Sequence, residues 1–197
     1  IPKVFLDTSS LVAPDELNGD LLLMESRTSV RRITSHLLEQ GRTLPGFIGD
    51  IGYAQSNRER YEGFCQALTD AGKKVDSSLC LTTPLGIDTY REEIDTFLSS
   101  LSRMPDAFVC ASDYVACILM QLLEKRGLRV PEDVAVSGFD NNTEDLLAEH
   151  LTTVQVFNEE LGARLALQIL YRIKYPNTPH EITYLGTNVL YRDSTGD

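Results

Sequence analysis

Tryptophan is missing altogether, and methionine and histidine occur only three times each. The histidines, His36, His150 and His180, stand at no metal-ligand spacing and join no nucleophile motif. The four cysteines, Cys65, Cys80, Cys110 and Cys117, form no C-x-x-C pair, so zinc-ribbon and dithiol signatures are excluded. Cys65 and Cys110 fall on apolar faces, the pattern of reduced, buried thiols in a cytosolic protein. No apolar run approaches the roughly 18 residues of a membrane span. Ile1–Asp7 reads as a strand and not as a basic, cleavable leader, so no membrane partner and no export are expected. G-x-S-x-G and phosphate-loop motifs are absent as well. Carboxylate pairs such as Asp140 with Asp145 arise by chance in so acidic a chain, and the chain does not read as an enzyme or a cofactor carrier.

Positive charge is scarce. Lys and Arg number 18 against 29 Asp and Glu, a net charge of -11. DNA binding rests largely on Lys and Arg displacing counterions from phosphates, so this segment is not expected to grip nucleic acid itself. The chain is nevertheless an ordinary globular one, 42% hydrophobic and 24% charged. Its 197 residues suffice for one large domain or two small ones.

Short apolar runs alternate with helical patterns along the chain, the mark of an α/β fold with a parallel sheet. Strands are expected at Lys3–Leu6, Leu44–Ile48, Ser78–Leu81, Ala107–Cys110, Val134–Ser137, Thr152–Val156, Ile182–Leu185 and Val189–Tyr191. Helices are expected at Ser29–Gln40, from Ser56 to Gly72, at Asp88–Leu101, at Asp113–Arg126 and from Asn158 to about Lys174. Gly41, Gly72 and Gly127 are read as helix stops. Ser56 with Glu59 three residues on reads as a capping box. The first strand has no neighbour to pair with, and the last helix is surplus to one compact sheet. Two sheets are therefore expected, one nearly complete and one in fragments.

Ligands of open α/β sheets gather beyond the carboxyl ends of the strands. Asp140 follows such a strand after Gly138, where it is either a helix cap or an acceptor for adjacent hydroxyls. Arg60 lies in a first helical turn, where a cation opposes the dipole unless something acidic or polar faces it. Its alternative is a solvated arginine beside Glu59 and Glu62. Ser112 and Asp113 follow another strand, Asp113 reading as the N-cap of its helix. Asp7 ends the first strand, where it either faces a cleft or makes a turn with Thr8 and Ser9.

The run PDAFVCASDYVACILMQLLEKRGLRVPEDVAVSGFD, from Pro105 to Asp140, resembles the core of the lactose/galactose repressor family. LTTVQVFNEELG, YRDST, SNRERYEGFCQAL and VFLD extend the resemblance over essentially the whole chain. It implies a type I periplasmic-binding-protein-like fold, three-layer αβα with a parallel sheet. The C-terminal lobe would be nearly complete and the N-terminal lobe present only in remnants. Residues 26–154 with 184–197 would form the former, and 1–24 with 158–182 the latter. The helix-turn-helix headpiece that reads operator DNA would lie outside this chain.

The resemblance implies that Asp140, Arg60, Ser112 and Asp7 contact a small-molecule effector, with Met24 and Val156 as apolar walls. Ser112 stands where many members carry Asn, and Val156 where a polar residue is frequent; both departures argue against copying a known effector. A carbohydrate is favoured because carboxylates and hydroxyls line the expected cleft and no basic cluster suits a phosphorylated ligand. Purines and other small metabolites also serve this family. A homodimer is implied too, with Cys117, Met120, Gln121, Leu146 and Leu147 as the expected interface. The function expected is a cytoplasmic, allosteric repressor module. A sugar transporter's solute-binding protein of the same fold is the alternative.

Overall fold

The computed structural model describes residues 1–86, 88–142 and 149–197. Among them the elements in chain order are β1 (Val4–Leu6), β2 (Asp20–Met24), α1 (Arg27–Glu39), β3 (Pro45–Ile48), α2 (Gln55–Asp70), β4 (Cys80–Leu81), α3 (Tyr90–Ser100), β5 (Ala107–Cys110), α4 (Asp113–Lys125), β6 (Ala135–Ser137), β7 (Thr153–Gln155), α5 (Asn158–Lys174), β8 (Ile182–Leu185) and β9 (Asn188–Leu190).

The larger sheet is all parallel, in the order β4-β3-β5-β6. β3, β5 and β6 are short and buried on both faces, as a sheet covered by crossover helices requires, while the edge strand β4 is half-buried. β5 shows the division. Ala107 and Val109 join Phe47, Val30, Ile33, Leu37, Phe64 and Leu68 beneath α1 and α2, whereas Phe108 and Cys110 join Ile48, Val136, Ile94, Leu98, Leu119 and Leu122 beneath α3 and α4. Alternation along the strand thus feeds two cores, one on each side of a three-layer αβα sandwich. The expected glycine stops hold: Gly41, Gly72 and Gly127 sit at positive φ just past α1, α2 and α4.

The second sheet is also parallel, in the order β1-β2-β8, and α5 packs beside it. Here the expectation of an unpaired first strand fails. β1 pairs with β2, and β2 is a central strand. The run Leu21, Leu22, Leu23 is buried throughout, so it shows no alternation to mark it. β8 stays with β2 as far as Leu185. Asp20 and Arg172 fasten this sheet to α5. The guanidinium donates to Asp20 from Nη2 at 2.5 Å and from Nε at 2.9 Å, and to the carbonyls of Thr178 and Pro179. Gln168 and the Glu181 amide also donate to Asp20. Burial pushes the Asp20 carboxyl up, but these donors together hold it below its ordinary value.

An antiparallel pair, β7 with β9, joins the two regions. The terminal YRDST segment seals the open edge of the larger sheet. Ser194 donates to the Val136 carbonyl and accepts from the Thr152 amide, and the Thr195 and Thr152 hydroxyls meet at 2.6 Å.

Candidate functional site

β3 connects outward to β4, while the chain next returns to β5 on the other side of β3. The crevice between β3 and β5 is therefore the topological switch point, where the loops part and a ligand can enter. α2 leaves the end of β3 and α4 leaves the end of β5. Arg60, in the second turn of α2, bridges that crevice: its Nη1 donates to the carbonyl of Ala111, just past β5. The guanidinium lies over the Phe139 ring, 3.7 Å from the centroid. Its Nη2 stands 3.5 Å from Asp140 Oδ1. The arginine side chain is only 5% exposed, whereas Asp140 keeps 43% of its side-chain surface open. Arg60 Nε is buried without a partner. Burial pulls the guanidinium below its ordinary pKa, and Asp140, Asp7, Asp113 and Glu59 oppose that shift. Desolvation raises the Asp140 carboxyl, with Arg60 pulling the other way.

Of the four carboxylates that act on this cation, Asp140 is the one that keeps an open face, while Glu59 and Asp113 are buried and already accept bonds.

Asp7 approaches the start of α2. Its Oδ2 accepts from the Ser56 hydroxyl at 2.5 Å, and its Oδ1 from the amides of Thr8 and Ser56 at 2.7 and 3.3 Å. The expected Ser56–Glu59 capping box is not formed. Ala54 is the N-cap, the Ser56 hydroxyl is taken by Asp7, and Glu59 is buried, accepting from Tyr184 and Gln55. A carboxylate from another strand outcompetes the local cap because it brings full charge to the exposed amides of the helix start.

Ser112, not Asp113, caps α4: its Oγ accepts from the Val115 amide at 3.3 Å. Asp113 is 2% exposed and turned inward. It accepts from the Thr153 hydroxyl at 2.6 Å and from the Asn142 amide at 2.8 Å. Burial pushes its carboxyl up to about 6 against those two bonds. Met24 is half-buried against the apolar cluster that includes Phe139. Val156, expected to wall the cleft, is 5% exposed and fills the core.

The turn after β6 gives the GFD triplet a physical meaning. Gly138 leaves room for Asp113, Phe139 lies beneath Arg60, and Asp140 faces the guanidinium. Asp140 and Asn141 both adopt positive φ, 110° and 50°. Consecutive non-glycine residues in that region cost about 1–3 kcal/mol each, so the surrounding bonds must hold them there. Sequence reasoning missed Phe139, Thr153 and the inward role of Asp113, because only the packing of β7 against the turn brings them together.

The expected interface fares differently. Cys117 is 5% exposed and packs in the core between α3 and α4, not on the outer side of α4. A small thiol one turn from the buried helix face is simply enclosed. Met120 and Gln121 are half-buried, and Gln121 accepts a bond from Arg91. Leu146 and Leu147 lie outside the described residues.

Known proteins are similar to this chain in sequence and fold. A family described as periplasmic binding protein-like domain matches residues 34–195. The chain belongs to that family. Its resemblance to the lactose/galactose repressor branch holds in the relatives too. The HTH-type transcriptional regulator DegA of Bacillus subtilis is 32% identical over 73% of this chain and 42% of its own length. The HTH-type transcriptional repressor PurR of Vibrio cholerae is 27% identical over 100% of this chain and 57% of its own. This chain thus spans about half the length of those regulators. Among solved structures, a transcriptional regulator of the LacI family from Sanguibacter keddieii superposes with a TM-score of 0.83 at 27% identity, covering 100% of this chain and 72% of that one. The regulator CelR, in complex with cellobiose, gives 0.86 at 27% identity, covering 98% and 59%.

Proposed function

We propose that this chain is the effector-sensing part of a cytoplasmic LacI-type transcriptional repressor, and that it binds a sugar without chemically altering it. The observation that carries this reading is the Arg60–Asp140 pair at the switch point of a parallel sheet, with Arg60 laid over Phe139. A guanidinium with an open carboxylate beside it offers a donor and acceptors to adjacent hydroxyls. The CelR likeness, a structure holding cellobiose, supports the ligand class.

In this reading residues 1–24 with 158–182 belong to one lobe and residues 26–154 with 184–197 to the other. The effector lies between them against Asp140, Arg60, Ser112, Asp7 and Met24. Its binding shifts the population of lobe arrangements, and a helix-turn-helix headpiece reads operator DNA. A homodimer couples two such modules through the α4 side that carries Met120 and Gln121.

The test is a thermal-shift screen of neutral sugars and nucleobases on the parent protein, since a ligand specific for the folded state raises its midpoint. A sugar should raise it, and Asp140→Ala should erase the rise. An undiminished rise in that variant refutes the site. Sedimentation showing only monomers at micromolar concentration refutes the dimer.

A further inference from the structure

We infer that Asp113 is the positioning residue that holds Asp140 toward Arg60, acting through the strained turn after β6 and not by touching the ligand. The inference rests on the reading of Asp140 as a ligand acceptor, but its own test needs no ligand.

Two bonds converge on this buried carboxylate from one side, and a third reaches it through a relay. The Asn142 amide donates to Oδ2 at 2.8 Å. The Thr153 hydroxyl donates to Oδ1 at 2.6 Å, and the same hydroxyl oxygen accepts the Asn141 amide at 3.2 Å. Asn141 is thereby held through a relay and Asn142 directly. From the other side the Asp113 amide donates to the Phe139 carbonyl at 2.8 Å. The turn is thus gripped on both flanks of Asp140, whose own amide donates to Val154. Within this turn residues 140 and 141 are both at positive φ, so relaxation of the turn is downhill once the grip fails. Relaxation would rotate the Asp140 carboxylate away from Arg60.

The grip is charge-assisted, and so depends on Asp113 being ionised. The charged groups that face it are Asp140 from the turn, Arg60 from α2 and Arg192 from the terminal segment, with the Cys110 thiol at the end of β5. Two of these are cations and one an anion, which leaves burial as the main force against ionisation. Acidification therefore replaces two charge-assisted bonds by neutral ones and loosens the turn.

Amide hydrogen exchange at Asn141 and Asn142 tests this on the folded chain, each rate divided by its intrinsic value at the same pH. The wild-type protein should exchange several-fold faster at pH 5 than at pH 7.5 at both positions. Asp113→Asn should be faster by about ten-fold at pH 7.5 and should lose the pH step. Asp140→Asn should keep the step. Exchange in folded Asp113→Asn equal to wild type overturns the inference. A step lost in Asp140→Asn but kept in Asp113→Asn also overturns it, because Asp140 would then be the titrating group. Should Asp113→Asn fail to fold, Thr153→Val decides: Asn141 alone should speed up, and no change refutes the relay. Failure of the ligand reading appears separately, as an Asp140→Ala variant that still responds to sugar.

Discussion

Gly138 stands directly against Asp113: a side-chain carbon built on Gly138 would lie 2.2 Å from Asp113 Oδ1. The glycine of the GFD triplet is thus required by a residue 25 positions earlier and not by its own turn. Overpacking typically costs 1–3 kcal/mol, and here it also displaces a buried, bonded carboxylate. Gly138→Ala should therefore destabilise the chain by about 2–4 kcal/mol in urea unfolding. Asp113→Ala should remove part of that penalty, so the double variant should be less unstable than the two single losses added together. Simple additivity would show that the two positions do not press on each other.

Arg172 and Asp20 form a buried charge pair, with side chains 5% and 2% exposed. Removing one member of such a pair leaves an uncompensated charge and costs about 3–5 kcal/mol. Arg172→Ala should lower the urea midpoint accordingly and loosen α5 from the smaller sheet. A loss below 1 kcal/mol, within the range of an exposed pair, would contradict the structure.

The two buried aspartates predict opposite pH dependences. Asp113 is raised from 3.8 to about 6, so between those values the folded state binds more protons than the unfolded one. Its contribution to stability therefore improves as pH falls through that window, by roughly 1–3 kcal/mol in total. Asp20 is held below its ordinary value, so its contribution is present above about pH 4 and is lost as acid protonates it. Urea unfolding of wild type and Asp113→Asn from pH 7.5 to 4 checks the first. The wild type should gain on the variant as pH falls toward 4, although its turn loosens. A constant gap across that range would rule out Asp113 as a titrating group.

Arg60 offers a planar fork stacked on Phe139. Arg60→Lys retains the charge but loses both the stack and the fixed donors. Sugar affinity, measured by calorimetry with whichever sugar the screen returns, should fall at least about ten-fold, the worth of one charge-assisted bond. Phe139→Leu should weaken binding less, because the guanidinium keeps its bond to Ala111. Equal affinity in Arg60→Lys and wild type would remove Arg60 from the site.

Local spacing carried much of the architecture. The amphipathic periods of α1, α2 and α4, the glycines that stop them and the buried runs of β3 and β5 are all set by near neighbours in sequence. The ordered motifs likewise marked Arg60 and Asp140 before their 3.5 Å approach was visible. β2 escaped notice because a continuous run of leucines has no period to read. The Ser56–Glu59 cap was misread because its competitor, Asp7, is 49 residues away.

What the sequence by itself determined, then, is the alternation of strands and helices, since propensity and periodicity act within a few residues. Only the tertiary structure decided how the polar groups are spent. It gave Asp7 to the start of α2, Ser112 to the start of α4, Asp113 to the turn that carries Asp140, and Cys117 to the core. The physical reason is that a buried polar group takes whichever partner the packing brings within hydrogen-bond reach, and here those partners come from distant segments.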